Sequence, residues 1–295
     1  MNKSFSLKDY IEIINKYLDT SITECTFGED IVHNAMKYSL GIGGKRIRPV
    51  LVLEFCRLCG GDINEALPFA AAIEMIHTYS LIHDDLPCMD DDDMRRGMPS
   101  CHKKYGEEYA LLAGDGLLTR AFGIIAESDI AIKSPETAVK AIATLSSLAG
   151  ADGMIGGQVV DLRNEDKLCS LDVLRTMDSL KTGALIKCAA VLGVIVAKGN
   201  DNMMRAAVSY AENLGHAFQI VDDILDVIGD EKELGKPIGS DADSNKSTYV
   251  SILGLDKSKE YAEKLTENAV EALDIFGNEG DFLRELAISL INRKN

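Results

Sequence analysis

The chain has 295 residues, enough to bury a sizeable core, and its 46% hydrophobic and 26% charged residues make an ordinary globular balance. A formal charge of −16, from 47 acidic against 31 basic residues, gives a surface that repels nucleic acid and anionic membranes, which excludes both as partners. The same charge repels an anionic substrate unless bound metal ions invert the local field.

The opening Met1-Asn2-Lys3-Ser4-Phe5 has no apolar core of signal-peptide length, and Asp9 and Glu12 follow at once. Apolar residues at Leu7, Tyr10, Ile11, Ile14 and Leu18 predict a first helix. After the break at Gly41-Ile42-Gly43-Gly44, Val50, Leu51, Leu53, Phe55 and Leu58 predict another, closed by Gly60-Gly61-Asp62. The segment 67–85 is apolar on nearly all sides and reads as a central, buried helix. Ser134-Pro135-Glu136 and Ser170-Leu171-Asp172 read as helix starts with a capping residue. Segment 206–227 has the same all-round apolar character as 67–85, and a Gly/Asp/Ser-rich stretch follows from Gly229 to Ser247.

The six prolines are few for this length, alternating strand patterns are missing, and no composition shift or fixed-period repeat divides the chain. The expectation is one all-α domain over residues 1–295, a bundle of about ten or more helices. No stretch reaches about 18 uninterrupted apolar residues, so no membrane span is expected. Seven cysteines, from Cys25 to Cys188, read as reduced thiols in a cytoplasmic protein, and the Cys56/Cys59 pair lacks the partners of a zinc site.

Buried carboxylates without partners are costly, so Asp clusters on two buried helices need an explanation. Asp222 and Asp226 are four apart and share one helix face with Gln219 and Gly215. Two carboxylates one turn apart repel unless a cation sits between them, and Mg²⁺ is satisfied by one or two carboxylates plus phosphate oxygens. A merely solvated acidic face fits poorly, because Ile220, Val221, Ile224 and Leu225 crowd the same positions.

In the first cluster, Glu74, His77, Leu81 and Asp84 follow one helix side, and Asp90 lies six residues beyond Asp84. Pro87 disturbs the geometry between them and can let Asp90 swing back to the same ion. Arg95-Arg96-Gly97 follows the run Asp90 to Asp93, either to neutralise it or to grip a diphosphate in a bidentate fork. Gly43-Gly44-Lys45-Arg46-Ile47-Arg48-Pro49 sets three cations after a flexible pair at a helix start, which favours an anion. Lys181-Thr182, Lys236 and Lys246 form a further basic set. No Ser-His-Asp or Cys-His arrangement and no P-loop competes with these features.

The run Ser80 to Asp90 with Arg95-Arg96-Gly97, and the run Phe218 to Asp226, resemble the trans-isoprenyl diphosphate synthases, with the closest likeness to bacterial farnesyl diphosphate-forming members. Gly43 to Pro49, Gly114-Asp115, Gly153 to Gln158, Lys181-Thr182-Gly183 and Gly235-Lys236-Pro237 to Tyr249 match in the same order, so the likeness covers most of the chain. It implies an isoprenoid-synthase fold around a deep apolar cavity, a homodimer, and head-to-tail joining of isopentenyl diphosphate to dimethylallyl or geranyl diphosphate with three Mg²⁺ per site.

By the same resemblance, Asp84, Asp85, Asp90, Asp222, Asp223 and Asp226 form the catalytic clusters, with Asp84, Asp90, Asp222 and Asp226 holding metal. Lys45, Arg48, His77 and Arg96 bind isopentenyl diphosphate; Arg95, Lys181, Thr182, Gln219, Lys236 and Lys246 bind the allylic diphosphate. Tyr79 and Ser80, five and four residues before Asp84, set the floor of the growth pocket. The bulky Tyr79 and the inserted Pro87-Cys88 imply a C15 product, farnesyl diphosphate. Geranylgeranyl diphosphate is the alternative, and a terpene cyclase fits less well, because cyclases usually carry an Asn/Ser/Glu second motif.

Overall fold

With few breakers and apolar residues at helical spacing, the chain has little choice but to coil. The computed structural model describes residues 5–23, 25, 28, 30–165, 167–228 and 247–293. Among these, fifteen α-helical segments are joined by turns, and one two-stranded hairpin interrupts them. The expected all-α fold is therefore observed. Internal contacts sort into two compact units, Met1–Ile142 with Ile195–Lys198, and Ala143–Val194 with Gly199–Asn295.

In the first unit, α1 (Leu7–Ser21) opens on a reciprocal cap: the Asp9 amide donates to the Ser6 hydroxyl and the Ser6 amide to the Asp9 carboxylate. Helices α2 (Asp30–Gly41), α3 (Ile47–Leu58) and α4 (Ile63–Asp84) follow. The hairpin pairs Met94–Arg95 with Met98–Pro99, and leads into α5 (Cys101–Tyr105), α6 (Glu107–Ala126), α7 (Asp129–Lys133) and α8 (Pro135–Ala149), whose residues from Ala143 on belong to the second unit. Helix α4 packs against both α3 and α6, and Phe69, Ala70, Ala71, Ala72, Ile73, Met75 and Ile76 are all buried. Its alanines keep its neighbours close, and the predicted central helix is found. Cys56 and Cys59 form no disulfide; burial pushes the Cys56 thiol up to about 12 and the Cys59 thiol up to about 11, so both pack as thiols at neutral pH.

The second unit holds α9 (Met154–Asn164), α10 (Leu171–Asp178), a π-helical turn at Ser179–Gly183, and α11 (Ala184–Val196), whose last two residues belong to the first unit. It continues with α12 (Asp201–Ile228), α13 (Tyr249–Leu253), α14 (Leu255–Ala272), a 3-10 turn at Asp274–Gly280 and α15 (Asp281–Ile291). Ser170 caps α10 as expected, accepting from the Val173 amide. Helix α12 lies along α14, and Ile220, Val221, Ile224 and Leu225 pack with Leu174, Tyr249, Ala262 and Leu265. The all-round burial expected of 206–227 is not what forms. Buried residues line one side of α12, while Arg205 and Glu212 face solvent and Val227 and Ile228 are each 51% exposed.

By length and composition two helical runs could cross a bilayer, Glu107–Ala126 and Leu171–Val196, although no uninterrupted apolar run reaches that length. The first carries Asp115 and Arg120, the second Lys181 and Lys187, and 67% of the second's apolar window is buried within the protein.

Candidate active site

Helix α4 ends on Asp84, and the chain then doubles back. Leu86 carbonyl accepts from the amides of Met89, at 2.8 Å, and Asp91, at 3.2 Å. The Asp90 amide donates to the Asp84 carbonyl at 2.9 Å, so the six-residue separation closes into a tight turn. Pro87 sits within that turn, at the place where the sequence predicted a departure from helix. Asp84 is half-buried and Asp90 exposed.

Asp85, between them, has different work. It is 2% exposed and bound by the forked guanidinium of Arg95, whose Nε lies 3.0 Å and 3.3 Å from the two carboxylate oxygens and whose second nitrogen also bonds it. Burial pushes the Asp85 carboxyl up, and Arg95 holds it back. Arg95 also reaches Asp92 at 3.2 Å. Asp85 thus positions Arg95.

Arg96-Gly97 forms the two-residue turn of the hairpin, with φ of 54° and 77°, the sign pattern of a type I′ turn. Gly97 suits that conformation, whereas Arg96 adopts it against its preference. The Arg96 guanidinium lies across Gly44 and donates to the Gly43 carbonyl; any side chain at Gly44, itself at φ +121°, would occupy the guanidinium's place. That explains the Gly pair before Lys45 better than flexibility does.

Around His77, two turns before Asp84 on α4, stand Arg48, Arg96, Arg46 and Arg95. Burial, then these positive charges, hold His77 well below the usual imidazole range, so the ring is neutral at pH 7. Arg46 is already fully engaged: it pairs with buried Glu74 at 2.6 Å and donates to Asn15 and the Leu40 carbonyl. Arg48 is pushed down to about 10 by burial, still charged at neutral pH, and its buried Nε has no hydrogen-bond partner. Lys45 is exposed at the start of this group. Ser80 donates its hydroxyl to the His77 carbonyl at 2.9 Å, and the Tyr79 ring sits edge-on to His83 with its buried hydroxyl unpartnered.

In the second unit, Asp222 and Asp226 stand one turn apart on α12; Asp226 is 3% exposed, and the Asp222 side chain is 45% exposed. Asp223 accepts from the Tyr249 amide at 2.7 Å and so anchors the start of α13. Like Asp85, it is the middle carboxylate of its motif and is used for structure. Arg293 donates to Asp222 at 2.5 Å and to the Phe218 carbonyl at 3.0 Å.

Lys181 and Thr182 lie in the π-helical turn, a geometry that recurs at functional sites. Lys181 pairs with Asp161 at 2.5 Å, and Thr182 donates to Gln219 at 3.1 Å. Two glycines make this approach possible. A Cβ at Gly157 would lie 2.2 Å from the Lys181 nitrogen, and one at Gly215 would lie 3.1 Å from Gly183. Asp178, 6% exposed, faces Tyr249, Asp161, Lys181 and Asp222, and burial pushes its carboxyl up to about 7. Lys236 and Lys246 lie outside the described residues.

Glu74, Asp161, Asp178 and Arg293 were not among the residues read from sequence as binding groups. Asp178 was within reach of such a reading, since it lies three positions before Lys181. The others meet their partners only through the fold.

Residues 29–276 match the polyprenyl synthetase family. The chain is 42% identical over 300 residues to a geranylgeranyl diphosphate synthase of Cyanophora paradoxa, covering 100% of this chain and 99% of that one. It is 46% identical over 279 residues to the large subunit 1 of the heterodimeric chloroplastic geranylgeranyl pyrophosphate synthase of Arabidopsis thaliana, covering 92% of this chain and 74% of that protein. The crystal structure of an FPP/GFPP synthase from Zymomonas mobilis superposes with a TM-score of 0.86 at 35% identity, over 97% of each chain. The chain belongs to the polyprenyl synthetase family, as a trans-isoprenyl diphosphate synthase of all-α fold.

Proposed function

We propose that this prenyltransferase lengthens an allylic diphosphate by head-to-tail condensation with isopentenyl diphosphate, releasing pyrophosphate. The observation that carries this reading is neutral His77 among four arginines, two turns before the carboxylates of the Asp84–Asp90 turn. In a chain of net charge −16, cations gathered beside carboxylates suit a diphosphate held both by arginine and through metal.

Mg²⁺ fits the donors. Asp84 and Asp90 are drawn together by their backbone hydrogen bond, Asp222 and Asp226 stand one turn apart, and all four offer hard oxygen. Bound there, the ion supplies charge neutralisation for the departing pyrophosphate. On this reading Arg95, aimed by Asp85, grips the allylic diphosphate with Lys181, Thr182, Gln219, Lys236 and Lys246. Lys45, Arg48, His77 and Arg96 hold isopentenyl diphosphate, whose double bond attacks the allylic cation. The departing pyrophosphate takes the proton lost from the joined product. We read the working form as a homodimer, which light scattering on the purified protein checks.

For the product we propose geranylgeranyl diphosphate, C20. The Cyanophora and Arabidopsis relatives are named for it, and they outweigh the C15 reading made from Tyr79 and Pro87-Cys88. Farnesyl diphosphate keeps one observation in its favour: Tyr79 is bulky and 5% exposed, placed five residues before Asp84. The deciding experiment supplies isopentenyl diphosphate with dimethylallyl, geranyl or farnesyl diphosphate, with and without Mg²⁺, and chromatographs the dephosphorylated products. Conversion of farnesyl diphosphate to C20 supports the proposal, and arrest at C15 replaces it with the shorter product. No prenyl product from any starter overturns the functional reading itself.

A further inference from the structure

The segment that carries the two adjacent arginines also gathers donors of another kind. Asp91, Asp93 and His102 each present one ligand atom, and these atoms all lie within 4.8 Å of one another. Asp91 and Asp93 precede the hairpin and are exposed; His102 belongs to α5, beyond it. His102 is only 6% exposed, and its Nε2 is buried without a hydrogen-bond partner, 3.9 Å from the Asp91 carboxylate.

The other ring nitrogen is accounted for. Nδ1 of His102 lies 3.1 Å from the hydroxyl of Ser100, itself fully buried. With that hydroxyl accepting, Nδ1 carries the proton and Nε2 turns its lone pair toward the two carboxylates. This is the outer-shell arrangement that orients metal-ligating histidines. A buried ring nitrogen with no partner is a rare state, and an ion satisfies it.

We propose that Asp91, Asp93 and His102 form a binding site for a first-row divalent transition ion of the Zn²⁺, Co²⁺ or Mn²⁺ class, separate from the Mg²⁺ carboxylates. One imidazole and two carboxylates make a mixed nitrogen and oxygen set that such ions accept and that Mg²⁺, which keeps to oxygen, does not select. Coordination at about 2.0–2.2 Å requires the ligand atoms to draw closer, which the two exposed aspartates are free to do by rotating. Lys103, 2.7 Å from Asp93, is the cation that the ion displaces. Once bound, the ion ties the segment before the hairpin to the helix after it and so fixes the frame of Arg95 and Arg96.

The test uses the full chain in saturating Mg²⁺, which occupies oxygen-only sites, and titrates Co²⁺ while following visible absorption and the ion retained on dialysis. One Co²⁺ per chain is expected to persist against Mg²⁺, with tenfold or greater loss of affinity in Asp91→Asn, Asp93→Asn and His102→Gln, and none in His216→Gln. Histidine ¹⁵N spectra of the unmodified chain with Zn²⁺ give a readout that needs no variant to fold: the His102 Nε2 resonance shifts and those of the other four histidines do not. Co²⁺ fully displaced by Mg²⁺, equal binding by His102→Gln, or an unmoved His102 resonance overturns the proposal.

Discussion

Arg293 and Asp222 form an ion pair at 2.5 Å, with the Arg293 guanidinium stacked 3.8 Å from the centre of the Phe218 ring. The arginine contributes from near the end of the chain to a carboxylate proposed to hold metal, so the two positive partners compete for Asp222. An ion pair of this exposure contributes about 0.2–1 kcal/mol. Arg293→Ala is therefore expected to lower the Mg²⁺ concentration for half-maximal activity by roughly two- to fivefold. Product formation against Mg²⁺ concentration measures it, and an unchanged or raised requirement would show that Arg293 does not compete there.

The neighbouring carboxylates Asp84 and Asp85 should fail in opposite ways. Asp85 is buried against Arg95, and taking one partner from such a pair leaves the other charge uncompensated. Asp85→Ala is expected to lower stability by about 2 kcal/mol, less than a fully buried pair because Arg95 is partly exposed, and to raise the KM for the allylic diphosphate. Asp84→Asn should keep its melting temperature while kcat falls by a factor of 100 or more, on the order of a lost metal ligand. Thermal melts beside steady-state kinetics separate the two, and matching phenotypes would refute the division of labour.

Chain length turns on Tyr79, whose ring is buried and whose hydroxyl has no partner. Tyr79→Ala removes a large side chain at a stability loss of about 3 kcal/mol and opens space one turn below Asp84. Longer products than those of the unmodified enzyme are expected by chromatography. An unchanged product distribution from a folded variant would leave Tyr79 as ordinary core.

Asp178 gives a pH signature. Its carboxyl is raised to about 7 in the folded protein, above the unfolded value near 3.8, so its stabilising contribution is full below pH 3.8 and is lost as pH rises through 7. At pH 8 the buried carboxylate is ionised against its surroundings. In metal-free protein, Asp178→Asn is expected to gain on the order of 2–4 kcal/mol at pH 8 relative to its effect at pH 4. Denaturant unfolding at the two pH values checks this. Equal differences at both would show that Asp178 titrates normally.

Much of this was legible beforehand where the cause is local. Four-residue spacing sets Asp222 and Asp226 on one face of α12, and Pro87 marks the place where α4 gives way to the turn that returns Asp90 to Asp84. The Asp pairs and the cations around His77 could be named because residue type and spacing carry their chemistry. The division within each motif could not, because Asp85 and Asp223 differ from their neighbours only in meeting Arg95 and the Tyr249 amide. Arg46 reads like Arg48 in the sequence; Glu74, 28 residues on, makes one a buried strut and leaves the other facing His77. The all-round burial expected of α12 failed because apolar composition does not say which side a neighbour covers.

The π-helical turn at Ser179–Gly183 carries a further consequence for anyone who edits or aligns this chain. A π turn amounts to one residue more than an α-helix needs at that place. Deleting a single residue there would let α10 and α11 fuse into one regular helix, locally better hydrogen-bonded than the original. It would also turn one side of the junction by about 100° against the other. Lys181 and Thr182 would then leave Asp161 and Gln219, so a change that looks neutral as helix propensity would undo both contacts. The extra residue works as a phase adjuster, and a comparison that closes it as a gap loses the register of both lysine and threonine.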